Sequence, residues 1–260
     1  MPVTADALRD EYADAVERMA GRALDALAGG GGAVVFPDPP STAELAAVRV
    51  LGPDVFAPAL MDSRPPDPET ATVVASAFRV FPPADGPGAH ASPAVWRDWA
   101  AGRLAVQAGA VIPAVAAPER PPQGGGWQAW SLAMAQLSAL ALPGLEGPVH
   151  DAARRDPLSL SRGAVRALLR RDHRTAVRLT RWLAWSERAG VTLPVEVPPM
   201  LVRLRQIGDG SARSALEMAL ADRLSAESAR HTEKPPPTEE PPSNADEPST
   251  GDTQATGEPR

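Results

Sequence analysis

The chain has 260 residues, only 4% of which are aromatic, and it contains no cysteine. The lack of cysteine excludes disulfide bonds, thiolate metal sites and a cysteine nucleophile. A core of this composition is made of Ala, Leu and Val, and such small side chains suit close helix packing better than a β-sandwich. The sequence therefore predicts a mostly α-helical fold, an irregular helical bundle with proline-rich connectors.

The net charge of -6 is unevenly distributed along the chain. Residues 1–150 carry a net charge of -7, residues 151–226 carry +6, and residues 227–260 carry -5. Such segregation bears on the choice of partner and on solubility, but not on the fold. Lys234 is the only lysine beside 25 arginines, a bias that indicates a GC-rich bacterial genome and lowers the weight of any arginine cluster.

The predicted domain spans 1–226, beginning with a helix over 4–28. Its apolar residues recur at helical spacing, namely Leu8, Tyr12, Val16, Met19, Ala23 and Leu27. Such a narrow stripe suits packing on the same domain or a short coiled-coil contact with a copy, so the oligomeric state stays open. The first residues lack a basic start and an apolar run, which predicts a cytoplasmic protein without a secretory signal.

Residues 33–126 are predicted to be rich in loops, because prolines interrupt the apolar runs. We expect a short strand at 33–36 and helices over 41–52, 68–83 and 92–109. An enzyme with its site in the loops of 37–126 is one alternative for function.

No motif in the chain predicts a catalytic or metal centre. The glycine–any–serine–any–glycine frame of a nucleophile elbow is absent, and no lysine accompanies the glycines at 29–32. The histidines are far apart, namely His90, His150, His173 and His231. Acidic residues with no pattern beyond surface scatter are Asp62, Asp67, Glu69 and Asp98. No cofactor is predicted, although His173 beside Asp172 is retained as a hypothetical proton carrier.

The helical part of the domain is predicted over 127–226. Residues 127–142 are uncharged, but this run is shorter than the roughly 20 apolar residues of a membrane helix and includes Gln128 and Gln136. We therefore expect a buried central helix there, and membrane association is not predicted.

Residues 158–190 combine helical periodicity with dense positive charge. On a helical wheel one side holds Val165, Leu168, Leu169, Ala176, Leu179 and Leu183. The opposite side holds Arg162, Arg166, Arg170, Arg174, Arg178 and Arg181. Asp172 would fall within the apolar side of one continuous helix, so two helices are predicted, over 160–171 and 173–189, with Asp172 capping the second.

The segment ALLRRDHRTAVRL resembles the turn of a tetratricopeptide-type helical hairpin, with Ala176 as the small residue after the turn. The likeness covers one hairpin, no second copy occurs at the expected spacing, and it implies no function.

The last predicted helix begins after Ser211 and ends near 226. Residues 227–260 are acidic and proline-rich with little to bury, which predicts a disordered tail. One hypothesis is that this tail folds back on the arginines and competes with a polyanion.

The sequence favours a non-catalytic accessory or regulatory protein that binds a protein partner with an acidic surface. The expected contact residues are Arg166, Arg170, Arg174, Arg178, Arg181 and Trp185. Substituting glutamate at 174 and 178 is expected to abolish partner capture without changing the thermal midpoint. The main alternative is a module that binds nucleic acid or another polyanion.

Overall fold

The computed structural model describes residues 5–30, 32–83, 92–113, 115–118, 121 and 125–233, and these contain no β-strand. The α-helices are α1 (Ala5–Ala28), α2 (Thr42–Leu51), α3 (Ala57–Met61), α4 (Pro68–Val80), α5 (Pro93–Gln107), α6 (Trp127–Gln136), α7 (Pro148–Arg155), α8 (Pro157–Leu169), α9 (His173–Arg188), α10 (Val197–Gln206) and α11 (Ala212–Glu233). Short 3-10 segments occupy Gly52–Phe56 and Ser138–Leu140. The prediction of a mostly α-helical fold is confirmed.

Helices α2, α4 and α5 begin directly after residues that cap them. Ser41 and Glu44 form a capping box before α2, with the Glu44 amide donating to Ser41 Oγ at 3.2 Å. Asp67 accepts from the Thr70 amide at 2.7 Å before α4, and Ser92 caps α5. These side chains satisfy amides that the first turn of a helix leaves without a partner.

The described residues of 33–126 contain more helix than the prediction of a loop-rich region implies. Helices α2 to α5 and one 3-10 segment occupy much of 42–107, and the strand expected at 33–36 is an irregular segment. Pro37, Pro39 and Pro40 follow it directly and cannot donate to a strand ladder.

The uncharged run 127–142 forms a shorter helix than predicted. α6 ends at Gln136 and gives way to the 3-10 segment Ser138–Leu140, where the Ser138 hydroxyl donates to Glu217 Oε1 at 2.7 Å. Within the described part of the chain, none of the helices combines the length and apolarity that crossing a membrane requires.

The break at Asp172 is confirmed. α8 ends at Leu169, Arg171 adopts a left-handed backbone with φ 58°, and Asp172 Oδ1 accepts from the Thr175 amide at 3.2 Å. The two helices form a hairpin in which α8 runs antiparallel to α9.

α9 lies at the centre of the bundle and packs against α6, α8, α10 and α11. It runs parallel to α11, because an ion pair joins Arg178 to Glu217 in the first half of both helices and another joins Arg188 to Glu227 further along both. Because these neighbours surround most of α9, its arginine side turns from solvent at Arg174 toward protein at Arg178 and Arg181.

α8 buries a different side from the one predicted. Gly163 faces α6 so closely that a Cβ atom there would lie 2.5 Å from Ser131 Cβ. The small residues Gly163, Ala164 and Ala167 are buried, whereas Val165 and Leu169 are 38% and 80% exposed. The prediction that Val165 and Leu169 are core residues was wrong, because the side of α8 that carries Gly163 is the one that packs against Ser131 and Leu179.

α1 packs on its own chain, against α2 and α11, and buries Met19, Ala23 and Leu27. α11 continues to Glu233, so the tail predicted from 227 cannot begin before that helix ends. Residues 234–260 lie outside the described residues, as does His90.

Candidate functional site

Arg181, predicted as a partner contact, is a core residue. Its side chain is 0% exposed, with Nη2 donating to Asp54 Oδ1 at 2.7 Å and Nη1 donating to Glu217 Oε2 at 2.9 Å. Nε also donates to the Ala141 carbonyl oxygen at 3.2 Å. A guanidinium taken out of water needs such partners. Arg181 therefore cannot contact a partner of the folded protein, and that prediction was wrong.

The two carboxylates around Arg181 differ in their pKa. Burial alone would raise the pKa of Glu217, but Arg181, Arg178 and the Ser138 hydroxyl outweigh it and lower that pKa. Asp54 has one guanidinium within hydrogen-bonding distance, so burial prevails and raises its pKa. The network joins α9 to the 3-10 segment Gly52–Phe56 and to α11.

The other two arginines of α9 that were predicted as partner contacts are also paired with carboxylates of the chain. Arg178 is 24% exposed and its Nε lies 3.5 Å from Glu217 Oε1. Arg174 is 68% exposed and its Nε lies 3.3 Å from Asp209 Oδ2. Burial would raise the pKa of Asp209, but hydrogen bonds from Ser211, Ser214 and Arg174 lower it to about 2. Both arginines therefore already have carboxylate partners.

Trp185, the predicted aromatic anchor, is 3% exposed. Its ring lies 5.5 Å from that of Trp182 and 4.9 Å from that of His150, centroid to centroid, and Arg154 covers it at 4.8 Å. Trp185 is held in this cluster because α9 is central, so its assignment to a partner surface was also wrong.

The arginines of α8 have a different environment. Arg162, Arg166 and Arg170 are exposed, and no carboxylate of the described residues forms an ion pair with any of them. Between them on the same helix lie three exposed apolar side chains, Leu158 at 46%, Val165 at 38% and Leu169 at 80%. These six side chains are referred to below as the α8 face.

Grooves flank the α8 face on both sides. One, of about 990 Å³, is lined by the face together with Trp127, Pro194 and Val195. The other, of about 440 Å³, runs between α8 and α6, where Leu132 is 52% exposed. Arg166 and Arg170 line both, and the Arg166 guanidinium carbon lies 5.8 Å from the Trp127 ring centroid. The guanidinium groups of Arg166 and Arg170 therefore lie beside the apolar side chains that line both grooves.

Asp62, Asp67, Asp98 and His173, which were considered for chemistry, have structural roles. Asp67 caps α4, Asp62 pairs with Arg223 at 2.6 Å, and Asp98 pairs with Arg49 at 2.6 Å. His173 is buried, its Nε2 lying 3.2 Å from the Leu204 carbonyl oxygen. No group of three or more potential ligands suited to a metal ion occurs among the described residues.

The site therefore keeps Arg166 and Arg170 from the predicted set and adds Arg162, Leu158, Val165, Leu169 and Trp127. A helical wheel assigned two of the apolar members, Val165 and Leu169, to the core. One feature of the sequence could have predicted that these side chains are exposed. The small residues Gly163, Ala164 and Ala167 mark the side of α8 that a neighbouring helix approaches, so the opposite side faces solvent.

Comparison with known proteins gives no independent indication of function. No protein-family model matches the chain, and neither the curated proteins nor the solved structures include a match.

Proposed function

We propose that this protein is a non-catalytic accessory or regulatory protein whose α8 face binds an acidic segment of a partner protein. The observation that carries the proposal is the coincidence, on one helix surface, of three arginines without carboxylate partners and three exposed apolar side chains. An arginine that is already paired with a carboxylate of its own chain attracts an acidic partner only weakly. An exposed arginine without such a pair attracts a surface of opposite charge.

The apolar part of the α8 face favours a protein over other anions. Covering Leu158, Val165 and Leu169 removes apolar surface from water, which contributes roughly 25 cal/mol per Å². The 13 residues of α8 extend about 20 Å, enough to contact several turns of an amphipathic helix. The partner segment we infer presents apolar side chains flanked by Asp or Glu.

A nucleic acid would contact the arginines through its phosphates but would leave the apolar side chains of the α8 face exposed to water. Three phosphate contacts would give a logarithmic salt slope of about -2.7 on duplex DNA. A protein segment buried on Leu158 and Leu169 would retain part of its affinity at high salt, because the hydrophobic contribution is not screened.

The experiment is a selection of random peptides on the wild-type chain, with depletion on the Arg166→Glu/Arg170→Glu variant. We expect enriched peptides that combine acidic with apolar residues. Fluorescence anisotropy should show that the double variant weakens their binding by at least about tenfold, or about 1.4 kcal/mol.

The matched control is Arg18→Glu/Arg203→Glu, which makes the same charge change at two exposed arginines outside the α8 face. It should bind the peptides nearly as the wild type does. Equal losses in both variants would mean that net charge alone governs binding, and a failure to enrich any peptide would contradict the proposal.

A further inference from the structure

We propose that residues 239–247 of the same chain occupy the α8 face when no partner is bound. The regulatory meaning of this contact rests on the function proposed above, because the segment would compete with the partner for the same arginines. The segment lies outside the described residues, and its sequence, the charges of the α8 face and the position where α11 ends support the proposal.

Charge complementarity is the first reason. Residues 239–247 contain four carboxylates and no basic residue, namely Glu239, Glu240, Asp246 and Glu247. The α8 face supplies three arginines without carboxylate partners among the described residues. The segment also carries Pro241 and Pro242, and proline rings pack well on aromatic and aliphatic floors such as that formed by Trp127 and Leu158.

The direction of the helices is the second reason. α9 ends beside Glu227 of α11, since Arg188 pairs with Glu227 and the Ser225 hydroxyl donates to Glu187 Oε2 at 3.4 Å, and α11 continues from there to Glu233, about 9 Å further in the same direction. α8 runs antiparallel to α9, so its first residues, including Leu158, lie at this same end of the bundle. The chain therefore leaves α11 near the start of the α8 face.

The available length is the third reason. α9 packs against both α8 and α11, and two interhelical distances of 8–10 Å separate their axes by at most roughly 20 Å. With the additional 9 Å or so by which α11 extends past α9, the gap is at most roughly 22 Å, and the seven steps from residue 233 to residue 240 reach about 24 Å when extended. Residues 239–247 in an extended conformation cover about 28 Å, more than the length of α8.

Three cations at that end of the bundle are already paired. Arg188 pairs with Glu227, Arg223 pairs with Asp62, and Arg154 pairs with Glu146. Arg155 and Arg230 are exposed there without an ion pair among the described residues, but each stands singly, whereas the α8 face offers three adjacent arginines together with apolar side chains. Because the segment is tethered, its effective concentration at the α8 face is in the millimolar range.

The test is paramagnetic relaxation on the full 260-residue chain. Because the chain has no cysteine, Ser243→Cys provides a unique site for a nitroxide label. At low ionic strength we expect the label to broaden amide signals of α8 more than those of α4 (Pro68–Val80). Neutralising the segment with Glu239→Gln, Glu240→Gln, Asp246→Asn and Glu247→Asn should remove the selective broadening.

The control makes the same change in net charge on α1, with Asp10→Asn, Glu11→Gln, Asp14→Asn and Asp25→Asn, all exposed positions. It should leave the broadening of α8 intact. Equal broadening of α8 and α4, or selective broadening that survives neutralisation of the segment, would overturn the proposal. The measurement needs no partner, so it fails independently of the peptide selection.

Discussion

The environment of Arg181 shows how an arginine in a charged stripe becomes part of the core. Asp54 and Glu217 approach it from residues 127 positions earlier and 36 positions later in the chain. A helical wheel locates Arg181 on one side of α9 but carries no information about what lies opposite. Removing one member of such a buried network typically costs about 3–5 kcal/mol, because the remaining charges lose their partner.

His150 provides a prediction at the same scale. It is 0% exposed, its Nε2–H donates to the Leu140 carbonyl oxygen at 2.9 Å, and Nδ1 has no hydrogen-bond partner. Burial lowers the pKa of His150 below 6.5. As pH falls through 6.5 the unfolded chain takes up a proton at this position and the folded chain does not, so the free energy of unfolding falls.

We expect the His150→Gln variant to lose this part of the pH dependence. Urea unfolding between pH 7 and pH 5 should give a shallower decline than in the wild type, by at most about 1.4 kcal/mol per pH unit. The comparison concerns the slopes, because the variant also loses ring contacts with Trp182 and Trp185. Parallel curves would show that His150 titrates alike in the folded and unfolded states.

At the scale of elements, the hairpin depends on how closely α8 approaches α6. Gly163 meets Ser131 on α6 and Leu179 on α9, so no larger residue fits without displacement. This approach lets α8 bury its small residues and directs Val165 and Leu169 outward. The exposure of the α8 face thus depends on the close packing of α6 and α9 against Gly163.

Gly163→Ala is expected to destabilise the fold by about 1–3 kcal/mol in urea unfolding, although alanine favours the helix. The new methyl group would overlap Ser131, so adding Ser131→Gly should recover more stability than additive effects allow. Gly21→Ala on α1 is the control, since a Cβ atom there meets nothing within 4 Å, and it should be neutral or stabilising. Strictly additive effects at 163 and 131 would contradict this packing argument.

At the scale of the whole molecule, the helix starts at Ser41 and Asp172 were predicted more reliably than helix lengths and orientations. These two starts and the break between α8 and α9 follow from neighbouring residues, so the sequence was sufficient to predict them, whereas the cap at Asp67 was not predicted and the strand expected at 33–36 is not present. The burial of Arg181 and the exposure of Leu169 depend on contacts far along the chain. Amphipathic patterning identifies two sides of a helix, but a helix surrounded by neighbours buries both.

The bundle therefore divides the arginine stripe at Asp172. On α9 the arginines are balanced by carboxylates of the same chain, and they hold the helices together. On α8 they lie at the surface without such partners. This division is the central claim, because it assigns stability to one half of the stripe and binding to the other.

The most direct test compares the thermal midpoints of two charge-reversed variants, Arg166→Glu/Arg170→Glu and Arg174→Glu/Arg178→Glu, which change the net charge equally. The α8 variant should melt within about 2 °C of the wild type. The α9 variant should melt at least about 4 °C lower, since it sets carboxylates beside Asp209 and the buried Glu217 and loses about 2 kcal/mol or more, at roughly 2–4 °C per kcal/mol. Equal midpoints, or a lower midpoint for the α8 variant, would contradict the division of the stripe.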